Sequence, residues 1–369
     1  MARALIHGNA DVPRCLVVIF LRGGADGLHL VVPHGDDDYY RLRSTLAVAV
    51  AETVPLDAFF GLHPSLGPLA PFYGDGRMAV VHAAGSEDQT RSHFAAQDLM
   101  EHGGEVAGGW LGRFLRARDP IADGPLAAIA IGETLPESLR GAPAATAVRS
   151  LDDFALGEGS ERILLGLEAL YAAEAGPLGD AAVDTLNALR RIEELRRTPY
   201  RPAEGVEYPR GEFGEGLYEV ARCIKAGVGL EVATVDLGGW DSHLGQAALV
   251  DPLMGRLAQG LSAFCLDLGP LLDATSVVVM TEFGRRVAEN ASLGTDHGRA
   301  SAMFVLGGGV QGGQVVADWP GLRGETLEGP GDLPVVHDFR DVLAPVLRRH
   351  GAVDLQAVFP DHLVQPMAL

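Results

Sequence analysis

Apolar positions along the chain follow two rhythms. Short unbroken runs end in glycine or a polar cluster, and longer stretches repeat an apolar residue every three or four positions. Cys15-Leu-Val-Val-Ile-Phe-Leu21 ends in Arg22-Gly-Gly-Ala-Asp-Gly27 and reads as a central parallel strand, which Leu28 to Val32 extends. Arg77 to His82, Val232 to Asp236, Val277 to Thr281 and Ser301 to Leu306 read as further buried strands. Helices are predicted over Leu62 to Tyr73, Phe94 to Glu101, Gly112 to Arg118, Ser160 to Ala173 and Ala181 to Arg197, and around Leu217 to Ile224. The clearest is Pro252 to about Leu272, where Leu253, Leu257, Leu261, Phe264, Leu268 and Leu271 form one stripe. A final helix spans Val335 to Arg349, and Arg201 to Gly216 reads as a surface loop.

The Pro252 helix joins the strand at Asp236 to the strand at Thr281. A strand–helix–strand crossover implies parallel strands. The expected fold is therefore α/β, with a doubly wound, mostly parallel sheet built from 1–110 and 230–369. The stretch 111–229 is expected to form a helix-rich insert or cap, packed into one compact domain.

Composition narrows the functional classes. The formal charge of −20 argues against a nucleic-acid partner, since phosphate backbones need a basic surface. Lys225 is the only lysine. Cys15, Cys223 and Cys265 lie in apolar contexts without CxxC spacing and read as buried thiols. No apolar run reaches the length of a membrane span. Met1 to Pro13 shows no twin-arginine pair and no h-region, so the expectation is a cytoplasmic protein, or a periplasmic one if a leader has been trimmed.

The chemistry gathers at the strand ends, where open α/β sheets bind ligands. Asp236, Asp241 and His243 follow one strand, and Asp296 and His297 follow another. Carboxylates mixed with imidazoles suit a divalent metal; the bland alternative is that Asp241 and His243 cap a turn while Asp296-His297 ties down a loop. Asp26, among glycines after the first strand, is a further candidate ligand or an ordinary turn residue. Glu282 follows the Val277 strand, with Arg285 as an anion clamp or simply as its ion-pair partner. Thr90 and Ser92 stand between a strand and a helix, so either is a candidate nucleophile or the helix N-cap, and Arg91 and His93 beside them favour an anionic ligand. Gly307-Gly-Gly-Val-Gln-Gly312 fits GxGxxG, but no helix pattern follows it. His7, His34, His63, His82, His102, His337, His350 and His362 are expected in structural roles.

Several motifs in order resemble one family: Phe20-Leu-Arg-Gly-Gly-Ala-Asp-Gly-Leu28, Thr90-Arg-Ser-His-Phe-Ala-Ala-Gln-Asp98, Gly238-Gly-Trp-Asp-Ser-His243, Thr281-Glu-Phe-Gly-Arg285, Gly294-Thr-Asp-His-Gly298, and His337-Asp-Phe-Arg-Asp-Val-Leu343 with Val358-Phe-Pro360. They are similar to the bacterial "domain of unknown function 1501" group, placed in the alkaline phosphatase and sulfatase-like superfamily. The resemblance implies an alkaline phosphatase-like sheet with a metal-dependent site. It implies Asp26 as a metal ligand, Ser92 or Thr90 as nucleophile, Asp236 with Asp241 or His243 as further ligands, and Asp296-His297 as the source of a later histidine. One departure stands out: Glu282-Phe283 occupies the place of an expected Asp-His pair, and phenylalanine cannot ligate a metal.

The leading expectation is a hydrolase of phosphate or sulfate esters acting on an anionic small molecule or sugar ester. Ser92 would attack, Arg91 or Arg285 would hold the anion, and one or two divalent ions (zinc, manganese, magnesium or calcium) would be held by Asp26, Asp236, Asp241, His243, Glu282, Asp296 and His297. The alternatives are a degenerate member that binds an anion or a basic protein partner without turnover, and a phosphotransferase or mutase.

Overall fold

Every residue of the first strand except its last is buried, as expected where helices cover both faces of a sheet. The computed structural model describes residues 14–118, 126–154, 160–171, 176–197 and 199–369. Residues 1–13, and residues 172–173 of one expected helix, lie outside the described residues.

In chain order the strands are β1 (Cys15–Arg22), β2 (Val31–Val32), β3 (Val54–Pro55), β4 (Gly61–Leu62), β5 (Met78–Gly85), β6 (Ala128–Ile131), β7 (Thr146–Val148), β8 (Val232–Gly238), β9 (Thr275–Thr281), β10 (Ser301–Gly307), β11 (Gln314–Val316) and β12 (His337–Asp338). The main sheet runs β11-β5-β10-β9-β1-β8-β6-β7, with β12 also on β5, and β2-β4-β3 form a small separate sheet. All pairings in the main sheet are parallel except those of β10, which runs antiparallel to β5 and β9. The doubly wound, mostly parallel arrangement read from the sequence is the one observed. Residues 111–229 contribute β6 and β7 to this sheet as well as helices.

Alternation along β1 feeds two cores. Val17, Ile19 and Leu21 face one layer with Leu217 and Val220 of the helix Glu212–Lys225 and Leu257, Leu261 and Phe264 of the helix Gln246–Leu268. Leu16, Val18 and Phe20 face the other, with Leu111 and Phe114 of the helix Trp110–Ala117 and Val342 and Leu343 of the helix Phe339–Arg349. The helix Gln246–Leu268 carries the chain from β8 to β9, which flank β1 on either side. Its stripe is the one predicted, but it starts six residues before Pro252 and gives way to a 3-10 turn at Gly269. Pro252, in its second turn, lacks the N–H that would have bonded the Ala248 carbonyl, and the helix continues past it.

Three local expectations differ. The stretch Arg201 to Gly216 is not loop to its end, since the helix Glu212–Lys225 already covers its last five residues. Leu28 to Val32 does not extend β1: Asp26 caps a one-turn helix, Gly27–Leu30, by accepting the Leu28 N–H, and only Val31–Val32 is strand. The last helix begins at Phe339, because Asp338 caps it and His337–Asp338 is paired to β5.

The antiparallel direction of β10 matters for the site. The carboxyl ends of β1, β5, β8 and β9 lie at one edge of the sheet, and β10 begins at that edge. Residues just before β10 therefore join loops that follow the parallel strands.

Candidate functional site

Four loops converge at that edge. They are Gly23–Asp26 after β1, the segment from Ser86 to Ser92 leading into the helix His93–His102, Gly239–His243 after β8, and Glu282–Gly298 between β9 and β10. Glycines permit the close approach. A Cβ on Gly23, at φ +122°, would lie 2.5 Å from the Asp241 nitrogen, and one on Gly24, at φ +71°, would lie 2.5 Å from the Phe283 ring. The fully buried Arg285 guanidinium fastens these loops together. It donates to the carbonyls of Gly24 (2.7 Å), Thr295 (3.1 Å), Trp240 (3.1 Å) and Gly23, and to Asp241 Oδ1 (2.9 Å). Backbone bonds between 284–286 and 296–298 then bring Asp296 and His297 beside Phe283.

Three imidazoles meet around one carboxylate. Asp241 Oδ1 lies 3.1 Å from both His297 Nε2 and His243 Nε2, and Oδ2 lies 3.5 Å from His93 Nε2. His243 Nε2 and His297 Nε2 are 2.9 Å apart. The Phe283 ring lies 4.9 Å from His93 and 4.8 Å from His297, forming an apolar wall beside both. Asp241 and His243 remain about half exposed, which leaves one side open.

The outer partners set the tautomers. His93 Nδ1 lies 2.8 Å from Glu282 Oε1, His297 Nδ1 lies 3.0 Å from the Arg91 carbonyl, and His243 Nδ1 lies 3.4 Å from Asp296 Oδ1. Carbonyls and carboxylates only accept, so a neutral ring that donates from Nδ1 to these outer partners has its Nε2 lone pair turned inward. Burial would raise the Glu282 carboxyl, but Gln97, His93 and the Gly23 amide donate to it and hold it below the ordinary range. Burial likewise favours neutral His297. Asp241 is opposed by burial yet lowered to about 2, chiefly by its hydrogen bond from Arg285 and by nearby positive charge. Asp296 is lowered by its bond from Asn290 and by His243 and Arg286.

Two lone pairs 2.9 Å apart repel unless a cation lies between them, and His93 Nε2 is buried with no hydrogen-bond partner. One ligand atom each of His93, Asp241 and His297 lies within 4.8 Å of the others, and His243 Nε2 adds a contact of 3.1 Å to Asp241 and 2.9 Å to His297, where ligands of a tetrahedral set at about 2.1 Å from an ion lie about 3.4 Å apart. Imidazoles whose far nitrogens are held by acceptors are the usual outer shell of such a centre. The residues present fit a divalent ion.

The structure sorts the sequence candidates accordingly. Asp241, His243 and His297 come together, joined by His93, which the sequence had placed beside the nucleophile. Glu282 and Asp296 stand behind the histidines. Asp236 does not reach the cluster, because it lies within β8 and pairs with Arg22 at 2.6 Å. Asp26 does not reach it either. Its buried carboxylate takes Arg43 at 2.6 and 3.0 Å and Gln246 at 2.6 Å. Arg285 is occupied by loop carbonyls, and Arg91 binds buried Asp332. Arg91 adopts a positive φ of +55°, which aims its carbonyl at His297. Thr90 Oγ1 donates to Asp88 and accepts the Ser92 N–H, whereas the Ser92 side chain makes no capping bond.

The Asp26–Arg43 pair carries a stability expectation. Arg43→Met should cost about 3–5 kcal/mol at neutral pH, because a buried carboxylate loses its counter-charge. Burial would raise Asp26, but Arg43 outweighs it and holds the carboxyl below its ordinary 3.8. The clamp's contribution is thus complete above about pH 4 and fades as pH falls further. The gap between the two proteins in urea unfolding should shrink on acidification; a gap independent of pH would contradict this account.

A second histidine group escaped the sequence reading. His29 Nε2 and His63 Nε2 lie 3.0 and 3.6 Å from Asp251 Oδ1. His63 is the opposite tautomer. His63 Nδ1 accepts the Ser65 N–H at 3.1 Å, so the proton of the neutral ring sits on Nε2 and points at the carboxylate. This group is a hydrogen-bonded staple between the Gln246 helix and the loops preceding it.

Among solved structures the chain is similar to a sulfatase from Pseudoalteromonas sp. (13% identity, 93% of this chain and 68% of that one, TM-score 0.40). It is also similar to a protein from Pyrococcus horikoshii (13%, 82% and 87%, 0.32) and to alkaline phosphatase from the Antarctic bacterium TAB5 (8%, 83% and 95%, 0.30). At such identities and TM-scores no activity passes from them to this chain. No curated protein matches it. The family model described as "Protein of unknown function (DUF1501)" matches residues 63–369, and the chain belongs to that family.

Proposed function

We propose that the chain is a metal-dependent hydrolase of phosphate or sulfate esters, with one divalent ion held by His93, Asp241, His243 and His297. The observation that supports it is the set of three Nε2 atoms gathered around one carboxylate, each ring having an acceptor on its Nδ1 side. Three imidazoles and a carboxylate suit zinc, manganese or iron better than calcium or magnesium, which prefer all-oxygen sets. A bound divalent ion supplies Lewis acidity to an ester oxygen and to a neighbouring hydroxyl.

The remaining work falls to the chain. Ser92 begins the helix His93–His102, between Arg91, whose carbonyl orients His297, and His93 itself. Its Oγ would bond to the ester phosphorus or sulfur as the alcohol departs with a proton, and water would then release the anion. The amino end of that helix favours the negative charge carried by the ester. Glu282 holds His93 in place, and Phe283 keeps water from one side of the two rings.

The test is metal content together with turnover. Protein purified without chelators should carry about one divalent ion per chain and hydrolyse an aryl phosphate or aryl sulfate. Absence of both would sink the reading, leaving a proton on His243 to satisfy the paired nitrogens. Phe283 favours one specific second reading, a centre that binds an anion without turnover. Metal with tight phosphate binding, but no hydrolysis, would support that alternative.

A further inference from the structure

A cavity of about 880 Å³ opens over the ends of β6 and β8, and its lining includes Arg22, Gln97, Thr134, Ser150, Thr234 and Asp236. It is joined to the candidate centre by hydrogen bonds. Glu282 Oε1, which takes the His93 Nδ1 proton, also accepts from Gln97 Nε2 at 2.9 Å, and Gln97 Oε1 accepts from Arg22 at 3.3 Å. Arg22 in turn binds Asp236 at 2.6 Å and Glu101. Gln97 of the lining thus bonds Glu282 directly behind His93, and Arg22 precedes the Gly23–Asp26 loop of the site, so the cavity adjoins the candidate centre.

The charges of the lining set what part of a substrate it can hold. Arg22 and Arg149 also face the cavity, but each is already paired with a carboxylate, Asp236 and Glu133 respectively. Glu212 and Glu215, on the first turn of the helix Glu212–Lys225, line the same space and enter no ion pair among the described residues. A first-turn position makes those charges tolerable to the helix. It leaves the cavity with four carboxylates against two guanidiniums. A cleft of one sign disfavours ligands of the same sign. The hydroxyls of Thr134, Ser150 and Thr234, with the Gln97 amide, offer hydrogen bonds to a neutral hydroxylated group instead.

We infer that the cavity receives the leaving alcohol of the substrate, and that it selects an uncharged, hydroxyl-bearing alcohol over one carrying a second anion. This rests on the hydrolase reading, and Glu212 and Glu215 are the specificity-determining residues. A matched pair of esters tests it: glycerol 2-phosphate, with a neutral leaving alcohol, and glycerate 2-phosphate, which adds one carboxylate at nearly the same size.

In the metal-loaded protein kcat/KM should favour the glycerol ester by at least about tenfold. The exposed double substitution Glu212→Gln with Glu215→Gln should reduce that ratio to below about threefold, and added salt should reduce it in the parent. Equal rates, preference for the glycerate ester, or an unchanged ratio in the double variant would overturn the inference. Failure to hydrolyse either ester, together with aryl phosphates and aryl sulfates, would defeat the hydrolase reading alone. The cavity would then be read by saturation-transfer NMR of the same two compounds. Weaker binding of the glycerate ester, relieved in the double variant, would uphold the selectivity; indifference would refute it.

Discussion

Ser92→Ala should lower kcat by about 10³-fold or more while leaving metal content unchanged. Ser92 and Thr90 differ in how their hydroxyls are engaged. Thr90 Oγ1 is spent inside its turn, donating to Asp88 at 3.0 Å and accepting from the Ser92 amide at 3.1 Å. Ser92 occupies the N-cap of its helix without using its side chain as the cap, although serine ordinarily does so. Single-turnover assays with an aryl phosphate separate the outcomes. Loss of the burst together with steady-state turnover supports a covalent step at Ser92. Full activity in the variant would transfer the attack to water and leave Ser92 as a helix-start residue.

The second large effect is expected at the ligands. His297→Ala should weaken metal binding by more than about 100-fold, exceeding the 10–100-fold typical when only an outer partner is removed. Glu282→Gln supplies that comparison, since the amide still accepts through oxygen but loses the charge that holds the His93 proton. His63→Ala should leave metal content untouched, because the Ser65 amide already claims the lone pair that a ligand would need. Metal analysis of the three variants, with competition against a chelator, ranks them. Equal loss from His63→Ala and His297→Ala would show that the tautomer argument assigns the two histidine groups wrongly.

The sheet was legible because a strand covered on both faces is apolar along most of its length, as β1, β5, β9 and β10 are. The convergence of Asp241, His243 and His297 was legible from their place beyond strand ends. The roles behind them were not. Whether His93 is a ligand depends on Glu282, 189 positions away, reaching its Nδ1. Asp26 looked available because its partners, Arg43 and Gln246, lie 17 and 220 positions away and follow no local pattern. Asp236 was misplaced by two residues of strand: β8 continues to Gly238, so its side chain faces Arg22 across the sheet and not the space beyond the end. Burial and pairing of charge are long-range outcomes, and hydrophobic periodicity carries only local information.

The Arg285 tether bears on the order of folding. The groups it joins, Gly23 and Gly24, Trp240 and Thr295, lie up to 262 positions from it in the chain. Such contacts close late, after the loops between them have given up their entropy. The nest of histidines therefore cannot act as a nucleus, as metal ligands do in small domains that fold around an ion. An ion would meet a finished pocket and hold the chain there by mass action, as a seal on the native state and not as its template.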